Sequence, residues 1–307
     1  MTRDAAPRTV LLRDYRPPAF LIDTVELSLH LDPHATRVQA RLQFRRNPKA
    51  GEANLQLQGE GQRDVSIWLD GDPLPQQRYR LTDDGLTLFD APSSGVLEIH
   101  STISPESNTA LEGLYISRGV FCTQCEAEGF RRITFYPDRP DVLARFTTRI
   151  IADRARYPVL LSNGNLIEQG PMDGHRHYAV WQDPFPKPCY LFALVAGDLA
   201  AREDDFITAS GRKVALKLYS TPHNLELCQH AMDSLKRAMR WDETRFGREY
   251  DLDMFMIFCA DDFNMGAMEN KGLNIFNSKY LLARLDTATD SDFFAFSWPI
   301  TNSSRKS

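Results

Sequence analysis

The sequence predicts a β-rich first half followed by a mixed α/β second half. Apolar and polar residues alternate at period two over residues 25–103, which is typical of antiparallel strands with one buried face. Spacing typical of a helix first appears over residues 224–246. Dipeptides that favour tight hairpin turns interrupt the alternating runs at Asp70-Gly71, Asp84-Gly85 and Asn163-Gly164.

The strands of the first half are predicted from their alternating apolar positions. These positions are Val25, Leu27, Leu29 and Leu31, then Val38, Ala40, Leu42 and Phe44, then Val65, Ile67 and Leu69. The pattern continues over residues 145–200, where Pro184, Pro186 and Pro188 interrupt it. We place a domain boundary near Gly197, so that residues 1–197 form an antiparallel β domain.

The second half, residues 198–292, combines helix and strand signals. Apolar residues at three- and four-residue spacing predict a helix over residues 224–246, with Asn224 as its N-cap and Gly247 as its end. Residues 251–260 have the length and apolar character of a buried strand, and residues 273–283 are expected to form a strand and then a helix. Residues 293–307, FFAFSWPITNSSRKS, form a divergent tail without a periodic pattern.

Composition excludes several classes of protein. The chain of 307 residues has room for two domains, and no apolar run approaches the ~20 residues that a membrane span needs. The net charge of −5 and the absence of a Lys/Arg cluster argue against a nucleic-acid partner. Five cysteines at irregular spacing favour free thiols, and the first residues lack the apolar stretch of a secretion signal. We therefore expect a cytoplasmic protein.

One candidate site is the loop formed by residues 266–270, whose sequence is GAMEN. A glycine and a carboxylate, Gly266 and Glu269, stand here beside an apolar strand, so the loop is able to hold a ligand against exposed backbone. The alternative from the residues alone is a turn in which Gly266 relieves backbone strain and Glu269 is a solvated surface acid.

A second candidate site is an acidic cluster in the segment TQCEAEGFRR. Gln124, Glu126 and Glu128 occupy alternate positions, so on one strand they would share a face and suit a cation. The alternative is a structural salt bridge to Arg131 and Arg132, because a buried carboxylate needs a partner.

Motifs for other chemistry are missing from the sequence. None of the seven histidines belongs to the His-Glu-x-x-His pattern that binds zinc on a helix face. Cys122 and Cys125 form a single C-x-x-C pair without the further ligands of a zinc finger. No nucleophile elbow or phosphate-binding loop follows a predicted strand.

The segment NMGAMENKGLNIFNSKY, residues 264–280, resembles the substrate-binding loop of the aminopeptidase N family, a family of gluzincin zinc metallopeptidases, and in particular its bacterial alanyl aminopeptidase branch. The segments TQCEAEGFRRIT, DRPDVLARFTT, LLSNGN, QDPFPKPCYLFALVAGD and RWDETRFG resemble the same branch. The resemblance covers roughly residues 12–292. It implies a β-rich N-terminal saddle domain followed by the truncated start of an α/β thermolysin-like catalytic domain.

The resemblance also assigns roles to both candidate sites. Glu126 and Glu269 would bind the α-ammonium of a peptide, with Gln124 beside them and Met265 next to the first side-chain pocket. The backbone of Gly266 and Ala267 would pair with the peptide as an added strand. The substrate-binding residues carried over are Gln124, Glu126, Met265, Gly266, Ala267, Met268, Glu269 and Asn270.

The resemblance ends before the zinc motif that the intact family carries. After residues 287–290, TATD, the family continues into a helix with two histidine ligands, whereas this sequence continues into the divergent tail. We therefore expect a truncated copy that binds no zinc, retains the residues for the substrate amine and is inactive alone. Two alternatives are a non-catalytic binder of free peptide N-termini and an unstable remnant with Phe255, Ile257 and Phe276 left exposed.

Overall fold

The computed structural model describes residues 11–51, 53–282 and 289–290. Four β-sheets make up most of this part of the chain. The largest has eight strands, in the spatial order β13 (Asn165–Pro171), β14 (Arg176–Pro188), β11 (Leu143–Asp153), β1 (Phe20–His30), β2 (Thr36–Arg46), β8 (Ser94–Ile103), β4 (Arg63–Leu69) and β5 (Asp72–Pro73). A three-stranded sheet has the order β3 (Leu55–Gln58), β7 (Gly85–Leu88) and β6 (Tyr79–Thr82).

The chain passes from the first half to the second between the other two sheets, since β15 ends at Gly197 and β16 begins at Ala200. A four-stranded sheet has the order β12 (Val159–Ser162), β15 (Leu194–Gly197), β10 (Val120–Gln124) and β9 (Gly113–Ser117). A five-stranded sheet has the order β16 (Ala200–Ile207), β17 (Lys213–Ser220), β18 (Met254–Ala260), β20 (Leu273–Asn277) and β19 (Ala267–Met268). The predicted boundary near Gly197 lies at this change of sheet, and the division into two domains stays a prediction.

Short 3-10 helices connect several of these strands. They span Leu12–Asp14, Gln76–Arg78, Pro105–Ser107, Phe130–Arg132, Cys189–Leu191, Pro222–Cys228 and Ser278–Tyr280. The α-helix α1 (Gln229–Phe246) lies between β17 and β18. The prediction of a β-rich first half and an α/β second half is confirmed.

The period-two pattern of the first half is confirmed on its buried positions. Along β2, every second residue from Val38 to Phe44 is at most 1% exposed, and the residues between them face solvent. All pairs in the eight-stranded sheet are antiparallel except β1 with β11, which are parallel. Of the predicted turns, Asp70 and Gly71 both have positive φ, at 54° and 91°, whereas Gly85 already lies within β7.

Strand β18, in the centre of the five-stranded sheet, is buried on both faces, which explains why it is almost continuously apolar in sequence. Phe255 and Ile257 face the apolar side of α1, and Met256 and Phe258 face the core of the β-rich half. The exposure of Phe255, Ile257 and Phe276 that the alternative of an unstable remnant assumed is not found, because each is at most 1% exposed.

The predicted helix begins later than expected and ends where expected. Residues Pro222–Cys228 form a 3-10 helix, and α1 begins at Gln229. Asn224 is therefore not the N-cap, and its side-chain amide donates to the Thr221 hydroxyl instead. The helix ends at Gly247, whose φ of 63° is the left-handed conformation that glycine adopts without a steric penalty.

The last predicted elements lie only partly in the described chain. The predicted strand is confirmed as β20, and the residues directly after it form the 3-10 helix Ser278–Tyr280. The divergent tail, residues 293–307, lies outside the described residues.

Candidate functional site

The GAMEN loop, residues 266–270, contains an edge strand of the five-stranded sheet. Strand β19 pairs antiparallel with β20, with Ala267 opposite Phe276, and it is the last strand on that side. An edge strand presents backbone N–H and C=O groups that have no partner within the sheet. Gly266 does not relieve strain through a positive φ. A Cβ at this position would lie 3.2 Å from Cε2 of Tyr280, so glycine permits a close approach to that ring.

Gln124 joins the end of β10 to the start of this loop. Its side chain is buried, and Nε2 donates to the sulfur of Met265 at 3.0 Å and to the backbone oxygen of Glu126 at 3.3 Å. The other amide atom, Oε1, is also buried and has no hydrogen-bond partner among the described residues. The segment that carries Glu126 and the segment that carries Met265 therefore meet at one buried amide.

The predicted acidic face on a single strand is wrong. Strand β10 ends at Gln124, and Glu126 and Glu128 follow it in a turn. Glu128 forms the structural salt bridge of the alternative interpretation, at 3.1 Å from Arg131, which also binds the buried Asp138 at 2.9 Å. Glu126 is half-buried, and no basic side chain in the described ranges lies within salt-bridge distance of it.

The remaining site residues separate into a surface group and a buried group. Met265 is 42% exposed, and Gly266, Ala267 and Glu269 are half-buried at the surface of the loop. Met268 and Asn270 are buried, and the Asn270 amide donates to the Met268 carbonyl at 3.5 Å. The side chains of Met268 and Asn270 therefore support the loop from beneath.

The residues that hold the loop in place were not among those predicted from the sequence. Before the loop, the Asp262 carboxylate accepts a hydrogen bond from the Ser117 hydroxyl of β9 at 2.8 Å. After the loop, the buried Asn163 amide donates to the Lys271 carbonyl at 2.7 Å, and the Lys271 ammonium binds Asp251 at 2.7 Å. The segment LLSNGN, which includes Asn163, was a signal of family resemblance but carried no indication of this contact.

The described residues do not provide a site for zinc. No group of three or more His, Cys, Asp and Glu side chains comes together within residues 11–51, 53–282 and 289–290. All five cysteines are buried free thiols. Burial raises the pKa of Cys122 to about 12 and raises that of Cys125 as well, so both are protonated thiols at neutral pH. In the described part of the chain, no helix is long and apolar enough to span a membrane.

Comparison with known families assigns both halves of the chain. The model of the peptidase M1 N-terminal domain matches residues 24–191, and that of the peptidase family M1 domain matches residues 230–295. The chain belongs to peptidase family M1. The predicted relation to aminopeptidase N is thereby confirmed, and the β-rich half and the α/β half of this M1 chain correspond to the two matched domains.

Curated relatives of this M1 chain include two proteins named aminopeptidase N. The protein of Caulobacter vibrioides is 56% identical over 291 residues, which are 95% of this chain and 34% of the relative. The protein of Escherichia coli is 55% identical over 287 residues, which are 94% of this chain and 33% of the relative. The chain thus spans about a third of the length of these relatives.

A solved structure supports the fold. The crystal structure of Legionella pneumophila aminopeptidase A in complex with aspartic acid matches with a TM-score of 0.90 and 37% identity. The match covers 95% of this chain and 35% of that one.

Proposed function

We propose that this chain carries the part of an aminopeptidase site that binds the free N-terminus of a peptide. The observation that supports the proposal is the contact between Gln124 and Met265, at 3.0 Å, which places the Glu126 segment beside the GAMEN loop. The substrate-binding set is the one named above: Gln124, Glu126, Met265, Gly266, Ala267, Met268, Glu269 and Asn270.

Charge accounts for selection of the peptide amine. An α-amino group has a pKa of about 7.7–8.0 and is largely cationic at neutral pH. The carboxylates of Glu126 and Glu269 accept its N–H groups in charge-assisted hydrogen bonds, each worth about 1.5–3 kcal/mol. The buried amide of Gln124 holds the Glu126 segment against Met265. A peptide with a blocked N-terminus lacks this positive charge and is rejected.

The edge of the five-stranded sheet accounts for binding of the peptide backbone. A peptide that pairs with β19 adds a strand to the sheet. The hydrogen bonds join the main chain of the peptide to the main chain of β19, so they form with peptides of different sequence. Gly266 has no side chain and Ala267 has only a methyl group, so a second backbone can approach them closely.

We propose hydrolysis only for a protein that contains the zinc motif of the family, and peptide binding for these 307 residues. The family resemblance implies zinc as the metal that activates water, but the donor groups of the described residues do not fit it. The sequence of 307 residues also contains no His-Glu-x-x-His pattern. We expect these residues alone to bind the free N-termini of peptides without cleaving them. The five free thiols support a cytoplasmic location.

Calorimetric titration of the purified 307-residue chain with trialanine amide tests the proposal. The free-amine peptide should bind, and its N-acetyl form should not. Glu126→Gln and Glu269→Gln should each weaken binding about tenfold, because each removes one charge-assisted hydrogen bond. Glu128→Gln is the matched control, since that carboxylate is paired with Arg131, and it should leave the Kd unchanged. Equal binding of both peptides would refute the proposal.

A second measurement tests the expected lack of hydrolysis. The chain should not cleave an alanyl chromogenic amide with or without added zinc, whereas a full-length relative should. Zinc-dependent turnover by these 307 residues would show that they contain a metal site and would refute the expected lack of hydrolysis.

A further inference from the structure

We infer that Asp262 is a positioning residue for Met265 and the amine site. Its hydrogen bonds attach residues 262–265, which lead into the GAMEN loop, to strand β9. The inference rests on the proposed function for its effect on binding. Its geometric content, which is the position of Met265 against Gln124, stands independently of peptide binding.

Residue 262 is held by two buried side chains of β9. The Ser117 hydroxyl donates to the Asp262 carboxylate at 2.8 Å, and the Asp262 N–H donates to the same hydroxyl oxygen at 3.1 Å. The hydroxyl of Tyr115 donates to the Asp262 carbonyl at 3.1 Å. Tyr115 and Ser117 are 0% and 4% exposed. Being two positions apart, they point to the same face of the strand.

The residues on either side of Asp262 extend this attachment. The Asn264 amide donates to the carbonyls of Ala110 and Leu111, both at 3.3 Å, in the segment that leads into β9. Arg118, directly after β9, lies 3.5 Å from the carboxylate of Asp261. The Asn264 contacts are exposed, and the Arg118 side chain is 71% exposed although that of Asp261 is 18% exposed, so each of these contacts contributes little stability. The buried partners of Asp262 carry the attachment.

Strand β9 also determines where Gln124 lies. The two strands β9 and β10 pair antiparallel, with Gly113 opposite Gln124. The β9–β10 hairpin therefore positions both residues of the contact. Gln124 is held by the pairing of β10 with β9, and Met265 is held through the hydrogen bonds of Asp262 to β9. If residues 262–265 moved away from β9, the Met265 sulfur would separate from the Gln124 amide.

The second half of the chain holds the loop at other points. The Asn277 side-chain amide donates to the Phe263 carbonyl at 3.1 Å, and its backbone N–H donates to the Gly266 carbonyl at 3.0 Å. These bonds connect the loop to the end of β20 and remain when Asp262 is changed. Loss of the Asp262 carboxylate is therefore expected to shift Met265 without unfolding the loop.

The experiment uses the 307-residue chain with the methionine methyl groups labelled with carbon-13. Met265→Leu assigns the Met265 methyl signal, and Gln124→Ala gives its position when the contact is lost. Asp262→Ala should move the Met265 signal toward the Gln124→Ala position and weaken binding of trialanine amide about three- to tenfold, the range of one net hydrogen bond. Asp262→Asn keeps an oxygen that accepts from Ser117 and should restore both values.

Two further variants keep the test decisive. Ser117→Ala removes this hydrogen bond from the other partner and also removes the acceptor of the Asp262 N–H, so it should produce at least the same shift if Asp262→Ala fails to fold. Asp205→Ala is the matched control. The Asp205 side chain is 47% exposed, against 48% for Asp262, and it is ion-paired with Lys213. This variant should leave the Met265 methyl signal and the Kd unchanged.

The outcomes separate the two proposals. If the wild-type chain binds the peptide and neither Asp262→Ala nor Ser117→Ala moves the Met265 signal or the Kd, the inference is wrong and the proposed function stands. If the wild-type chain binds no peptide while Asp262→Ala still shifts the Met265 signal, the proposed function is wrong and the positioning role stands.

Discussion

The buried side-chain amide of Asn163 donates a hydrogen bond of 2.7 Å to the backbone carbonyl of Lys271. The same amide donates to the Leu191 carbonyl at 3.0 Å, and its oxygen accepts from the Ala193 N–H at 2.7 Å. One side chain from the turn after β12 thus holds the segment before β15 and the residue directly after the GAMEN loop. The β-rich half positions this loop from both ends, at Asp262 and at Lys271.

Asn163→Ala should lower the free energy of unfolding by about 2–4 kcal/mol, because the buried groups of Lys271 and Ala193 lose their partner. Urea unfolding followed by tryptophan fluorescence measures this loss. Asn165→Ala is the control, since Asn165 donates one exposed hydrogen bond to Asp253, and it should cost less than about 1 kcal/mol. Equal losses in the two variants would contradict a special role of Asn163.

Gly164→Ala should destabilise the protein far more than Gly174→Ala. Both glycines have positive φ, 86° and 76°, so alanine costs about 1–2 kcal/mol at either position from backbone conformation alone. A Cβ at Gly164 would also lie 2.1 Å from the Gln182 carbonyl oxygen, whereas nothing lies within 4 Å of one at Gly174. Thermal unfolding should therefore show a clearly larger drop in Tm for Gly164→Ala. Similar Tm values would mean that the strand at Gln182 yields easily.

Lys187 should make stability rise with pH between about 8 and 10.5. Its ammonium is buried 3.1 Å from the Asp183 carboxylate, and burial lowers the pKa of Lys187 from 10.5 to about 8 despite that partner. In this window the unfolded chain binds a proton that the folded chain has released, so raising the pH favours the folded state. The gain is at most about 3 kcal/mol across the window.

The pH effect is measured against a reference that lacks both charges, Asp183→Asn with Lys187→Met. Urea unfolding at pH 7, 8.5 and 10 should show the wild type gaining stability relative to this double variant. Lys213→Met removes an exposed lysine and should run parallel to the wild type. A difference that stays flat or falls with pH would show that Lys187 is charged in the folded protein throughout.

Local signals in the sequence predicted those features that depend on neighbouring residues. The buried positions of β2 and the end of α1 at Gly247 follow from period and from glycine geometry within one element. The predicted start of α1 was wrong, because residues Pro222–Cys228 form a 3-10 helix before the α-helix begins. The prediction that Gln124, Glu126 and Glu128 share one strand face was wrong, because their spacing does not reveal that β10 ends at Gln124.

Periodicity and contiguous motifs were enough to predict the β-rich and α/β halves, the GAMEN loop and its family resemblance. The contacts of Gln124 with Met265 and of Asn163 with Lys271 depend on how distant segments pack. These partners lie 141 and 108 positions apart. A hydrogen bond needs its donor within about 3 Å of its acceptor, and no local pattern encodes which distant segments the packed sheets bring that close.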